Sequence, residues 1–130
     1  MPLKGAILQK SHGFGEGMIT ATLKMTIPIR KHREALRILR PAVDKFRDEP
    51  GCLSCGIYRD MKEKNLLMLQ ETWRSEKDLG LHLRSEEYRK VLLVLEMALK
   101  QPEIRFDTVT TSTGIGTIEK ARGAVREPVY

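Results

Sequence analysis

The sequence holds no apolar run of the roughly 18 residues that a membrane span needs; its longest, Val91 to Leu99, is interrupted by Glu96. The opening MPLKGAILQKSHGFGEG has no sustained apolar stretch either, so it does not read as a signal peptide, and a cytoplasmic protein is expected. Aromatic residues make up only 5% of the chain, and Trp73 is the single tryptophan. The three histidines, His12, His32 and His82, show no spacing that would complete a zinc site, so no metal is expected. Two cysteines, Cys52 and Cys55, suit a reducing compartment. Their C-x-x-C spacing is that of redox and zinc sites, yet CLSCGIYRD has the composition of a strand and not of a helix start. Residues three apart in a regular strand face opposite ways, so these thiols are expected apart, as small buried strand residues.

What is present fits one soluble globular domain: 130 residues, 41% apolar and 31% charged. The formal net charge is +6, and it is unevenly spread. Between Arg30 and Arg47, seven Lys or Arg (Arg30, Lys31, Arg33, Arg37, Arg40, Lys45, Arg47) face only Glu34 and Asp44, leaving +5 in that segment. Such a stripe reads as the solvated face of an amphipathic helix before it reads as a nucleic-acid footprint. RNA readers of related topology stack bases on sheet aromatics in a Lys/Arg-Gly-aromatic motif, which is absent here, so nucleic acid is not expected as a partner.

Residues 1–17 carry four glycines and no period, and are expected to be an N-terminal arm. Met18 is expected to be a natural start, with the preceding residues dispensable. From there Ile19, Ala21, Leu23, Met25 and Ile27 alternate with Thr20, Thr22, Lys24 and Thr26, the pattern of a half-buried strand. A helix is predicted from about Arg30 to Arg47, with Leu36, Leu39, Val43 and Phe46 inward. Pro41 should kink or break it near Arg40, at a cost of about 3 kcal/mol in a helix interior. Pro50-Gly51 ends this element, strands follow at about Cys52–Arg59 and Leu66–Trp73, and the polar DMKEKN turn between them makes a hairpin.

Ser75 and Ser85 are candidate N-caps for a short helix and a longer one, the latter apolar through Tyr88, Val91, Leu92, Leu95, Ala98 and Leu99. A last strand is predicted over Glu103–Thr111, and residues 114–130 form an extension with a short helix near Ile115 to Arg122. The order β-α-β-β-α-β predicts an α+β, ferredoxin-like domain over residues 18–113 with a four-stranded antiparallel sheet. Helices on one face leave the other bare and, if largely apolar, in need of a homodimer partner.

The stretch Leu66 to Leu92 carries the candidate site. Leu67, Leu69, Glu71 and Trp73 share one side of a strand, and His82 lies inward with Leu79 on the helix after it. Glu71-x-Trp73, Ser75, a short acidic helix, His82 and Ser85-x-x-Tyr88, with Glu49-Pro50-Gly51-Cys52-Leu53 upstream, resemble the antibiotic biosynthesis monooxygenase (ABM) family of dimeric α/β barrels over about Met18 to Thr113. The resemblance implies ferredoxin-like subunits whose sheets pair into a barrel. It also implies, for some members, oxidation of phenols or quinols by molecular oxygen with no metal or flavin, hence no cofactor. Such chemistry needs an electron-rich substrate, a base and a dry pocket. His82 is the candidate base, Trp73 an aromatic wall and Glu71 the group that orients the histidine or the substrate. Leu69, Tyr58 and Arg59 are candidate substrate contacts, although alternation lets at most one of Tyr58 and Arg59 enter.

Two departures qualify the match. Asn65, in the turn, is the only asparagine, where several active members carry one on the first strand or before the tryptophan. The long helix has no histidine, so haem cleavage is not expected. The sequence thus supports a small cofactor-independent monooxygenase of a phenolic, quinol or polyketide-like aromatic, with a non-catalytic ligand-binding or regulatory dimer as the alternative.

Overall fold

A computed structural model of the chain describes residues 17–123. The proposed N-terminal arm lies outside the described residues except for Gly17, as does the end of the C-terminal extension. The alternation of MITATLKMT forms β1 (Met18–Thr26), with Ile19, Ala21, Leu23 and Met25 all buried on one side. It is followed by a 3-10 turn at Ile29–Lys31, α1 (His32–Arg47), β2 (Cys52–Arg59) and β3 (Leu66–Trp73). Then come α2 (Glu76–Leu83), α3 (Arg89–Leu95), β4 (Glu103–Val109) and α4 (Ile115–Ala121). The sheet order is β2-β3-β1-β4 and every pairing is antiparallel, the ferredoxin-like α+β topology read from the sequence. No helix among the described residues is long and apolar enough to cross a membrane.

Register fixes which side chains face the helices, because partners across an antiparallel pair point the same way. Three rows cross the sheet on that side: Cys52–Trp73–Ile19–Thr108, then Cys55–Glu71–Ala21–Phe106, then Ile57–Leu69–Leu23–Ile104. α1 packs over β2 and against α3, and α2 packs over β1 and β3. The main core lies between these layers, with Leu23, Met25, Leu39, Phe46, Leu67, Leu69 and Val91 almost fully buried. The helix-side flank of β4 is left open: Ile104 is 49% exposed and Phe106 is half-buried.

Four expectations are corrected. α1 is not broken at Pro41. Pro41 and Arg37 both sit on the exposed side, so the carbonyl that loses its amide partner reaches water, while Ala35, Leu39, Ala42, Val43 and Phe46 hold the opposite side in the core. The long second helix is short. α3 ends at Leu95, and the chain then tightens through three-residue bonds (Glu96 to Leu93, Met97 to Val94, Ala98 to Leu95) until the Leu99 amide donates to the Thr26 carbonyl at 2.7 Å. That link turns the chain back to the sheet, and it leaves Leu92 and Leu93 half exposed.

The cysteines are not on opposite faces. A bulge between Cys52 and Ser54 inserts Leu53, so Cys52 pairs with Trp73 and Cys55 with Glu71, and both free thiols lie on the helix side. Burial, and after it the charge of Glu71, raises the pKa of each, which favours the protonated thiol. Finally, the bare face of the sheet is not largely apolar: Thr20, Thr22, Lys24, Gln70, Thr72, Arg105 and Asp107 lie there beside Met68 and Tyr58. An apolar face therefore does not by itself call for a dimer.

Because Pro41 is held in place by packing against its own preference, Pro41→Ala should restore the bond to Arg37 and raise stability by about 1–3 kcal/mol. Urea unfolding measures this; an unchanged or lower midpoint would show that α1 gains nothing from a regular turn there.

Candidate active site

β3 turns Glu71 and Trp73 toward the helices because they alternate with Gln70 and Thr72, and each is at most 1% exposed. Two residues later Ser75 caps α2, its hydroxyl oxygen accepting from the Asp78 amide at 3.1 Å as its sequence position predicts. The capped helix then carries His82 inward on the same side as Leu79, at 1% exposure. The third wall comes from α1 and the turn after it, through Phe46 and Glu49.

These groups are in direct contact. The Trp73 indole N–H donates to Glu71 Oε1 at 2.9 Å. His82 Nε2 lies 3.2 Å from Glu71 Oε2 and 3.1 Å from Oε1, and His82 Nδ1 lies 2.9 Å from Glu49 Oε1. A carboxylate at each ring nitrogen is satisfied only when both nitrogens carry protons, so the geometry is that of an imidazolium. Burial alone would lower the pKa of His82; the hydrogen bonds and charges of Glu71 and then Glu49 outweigh it and hold the pKa above the usual histidine value. The cluster of one imidazolium and two carboxylates carries a net charge of −1.

Rings enclose the imidazolium. Trp73 stacks on it with centroids 4.3 Å apart and planes 28° off parallel, while Phe46 and Tyr88 meet it edge-on at 4.5 and 5.0 Å. The Tyr88 phenol has a raised pKa, from burial first and the charge of Glu71 second, so it stays neutral. The structure thus brings together Trp73, Glu71 and His82, with Leu69 fully buried on the same side of β3 in the next row. It does not leave a hollow between the indole and the imidazole, because the two rings touch.

Tyr58 and Arg59 lie elsewhere. Tyr58 pairs with Met68 on the bare face, and Arg59 pairs with Leu67, at the end of β3 away from Trp73. There the Arg59 guanidinium donates to Nδ1 of His32 at 3.2 Å, and Nε2 of His32 donates to the Ile27 carbonyl at 2.8 Å.

Glu49 was not singled out in the sequence as a partner of His82. It follows the last turn of α1, where no periodicity assigns a direction, and the only signal was an acid directly before Pro50-Gly51. The two carboxylates approach opposite nitrogens of one ring, so they cannot close on a single metal ion, and no group of three or more potential ligands disposed to hold one occurs among the described residues.

The sequence pattern of the family described as antibiotic biosynthesis monooxygenase matches residues 18–92. Among curated proteins, an uncharacterized protein of Synechocystis sp. is 28% identical over 60 residues, 46% of this chain and 41% of that protein, so the match spans about two fifths of that relative. Solved structures share the fold. A conserved protein from Methanosarcina mazei is 23% identical with a TM-score of 0.68, covering 73% of this chain and 95% of the other. A crystal structure of an antibiotic biosynthesis monooxygenase is 21% identical with a TM-score of 0.65, covering 72% and 99%. A Mycobacterium tuberculosis protein is 18% identical with a TM-score of 0.67, covering 75% and 99%.

The raised pKa of His82 makes stability depend on pH. The folded state keeps a proton that the unfolded chain releases near pH 6.5, so this stabilisation is complete below about pH 6.5 and lost as pH rises through the higher folded value. Unfolding midpoints should therefore fall as pH rises from about 6.5 toward the range where the cysteines titrate, and His82→Gln should flatten that slope. A wild-type midpoint that rises over this interval would mean that His82 is buried neutral.

Proposed function

The chain belongs to the antibiotic biosynthesis monooxygenase family, and from that premise we propose that it is a cytoplasmic, cofactor-independent monooxygenase of small phenolic, quinol or polyketide-like aromatics. One observation carries this reading. A buried acid and a buried imidazolium lie one short row from the uncovered flank of β4, where Glu71, Ala21 and Phe106 are successive partners across the sheet. Ala21 is the low point of that row, a single methyl between the acid and Phe106. An aromatic ring bound over Phe106 directs its hydroxyl along this row toward Glu71, past the buried methyl of Ala21.

The chemistry asks little else of the protein. With both nitrogens of His82 engaged, the free lone pairs belong to the carboxylate, so Glu71 is the base and His82 the fixed cation that stabilises the phenolate. Trp73, Phe46 and Tyr88 shield the imidazolium behind Glu71 from water, and an electron-rich phenolate beside that acid can reduce oxygen itself. A hydroquinone plus one O2 gives a hydroxyquinone plus one water: one oxygen atom forms the new C–O bond, the other leaves as water, and all four electrons come from the ring. Leu92, Leu93, Ile115 and Ile118, each about half exposed on α3 and α4, support a homodimer. A second reading, a ligand-binding or regulatory dimer without chemistry, is favoured by the ring stack itself, which fills the space around His82.

Oxygen consumption with a panel of hydroquinones separates the two. The oxygenase reading expects uptake by the wild type and a fall on the order of 100-fold or more in Glu71→Gln. Unchanged turnover in His82→Ala and Trp73→Phe would remove this site from the reaction, and hydroquinone binding without any uptake selects the non-catalytic reading.

A further inference from the structure

α2 begins with an acid that the fold leaves unsatisfied. Glu76 is 8% exposed, and its Oε1 is the one buried side-chain nitrogen or oxygen among the described residues that lacks a hydrogen-bond partner. Its neighbours are treated differently. Asp78, two residues on, accepts from Ser75 Oγ at 3.1 Å and Arg74 Nη2 at 3.2 Å, while Glu71 is bonded to both Trp73 and His82. The free N–H groups of the first helical turn favour an acid at this position, but they do not explain why it points inward when exposed positions were open to it.

Its surroundings give a reason. Glu76 lies one turn before Leu79 and two before Leu83 on the same side of α2, and those leucines pack with Trp73, Ile19 and Phe106. Beyond Ile19 and Phe106 no element among the described residues covers the helix side of β4, and Ile104 and Thr108 are exposed there. One unpartnered buried acceptor thus stands at the end of an apolar flank that is open on one side.

We propose that Glu76 is the specificity residue of a binding site on this flank, accepting a hydrogen bond from a hydroxyl of a small neutral aromatic whose ring rests on Phe106. The ligand class follows from the groups present. An apolar surface takes the ring and a lone acceptor takes a donor. Anionic ligands are opposed by Glu76 and by the net charge of −1 on Glu71, His82 and Glu49. This inference deepens the reading of the same site as one for phenols or quinols, and it concerns binding, which stands whether or not oxygen chemistry follows.

Titration calorimetry under nitrogen, with no turnover, tests it using hydroquinone and its dimethyl ether. The shift of the single indole N–H resonance, that of Trp73, reports whether binding occurs at this flank. The wild type should bind hydroquinone, move that resonance and bind the ether on the order of tenfold more weakly or worse. Glu76→Leu should fold, weaken hydroquinone binding by a similar factor and narrow the discrimination against the ether to what Glu71 retains through the other hydroxyl; Glu76→Gln, which keeps a neutral acceptor, should fall between. Equal affinity for hydroquinone in Glu76→Leu, or no discrimination by the wild type, overturns the proposal. So does a loss of dimer in sedimentation with binding unchanged, which would assign the acid to a second copy of the chain. Intact discrimination without oxygen uptake would defeat the oxygenase reading alone.

Discussion

A charged imidazole held between two carboxylates in the interior is the interaction on which the site half of this fold depends. Removing His82 and Glu71 fully from water, and Glu49 in large part, costs several kcal/mol per buried ion, and only close geometry with full hydrogen bonding offsets that. Here the geometry is close at every contact: Glu49 at 2.9 Å on one nitrogen, Glu71 at 3.1–3.2 Å on the other, and the indole N–H taking a further lone pair of Glu71 at 2.9 Å. The stacked and edge-on rings of Trp73, Phe46 and Tyr88 exclude the water that would weaken these contacts. Breaking one partner leaves an unpaired charge inside, so the cluster acts as a single unit.

That unit also aligns the secondary structure. Glu49 comes from the end of α1, Glu71 from β3 and His82 from α2, so one imidazolium ties a helix, a strand and a second helix together. The turn that delivers Glu49 is tightly specified. Gly51 has φ +85°, and a β-carbon there would run into the Asp78 carboxyl group at the start of α2, so both backbone and space require glycine. The Gly51 carbonyl then accepts from the Arg74 amide at 2.8 Å, fastening the turn to the end of β3. Turn, strand end and helix start thereby converge beside Trp73.

The sequence made the sheet legible because period-two alternation in MITATLKMT and LLMLQETW leaves only one burial pattern, and short connections leave few ways to pair the strands. His82, Glu71 and Trp73 were legible for the same reason: each sits in an element with a clear period or cap. The misread features depend on the partner and not on the segment. Leu53 becomes a bulge only when β2 meets β3, and that single insertion reverses where Cys52 points. Pro41 is tolerated because its orphaned carbonyl happens to face solvent, and α3 stops where Leu99 is needed by Thr26. Glu49 has no periodicity that assigns it a direction, and the inward turn of Glu76 is marked only by its spacing to Leu79 and Leu83, so the partners of both appear once the sheet and helices are assembled.

The most direct test of the account is the protonation state of His82, read from the ring 15N shifts of the labelled protein as pH is raised. Two protonated nitrogens at neutral pH, persisting above the usual histidine range and collapsing to ordinary titration in Glu49→Gln, is the predicted result. A single neutral tautomer at pH 7 would contradict it, and with it the buried imidazolium around which the site has been described.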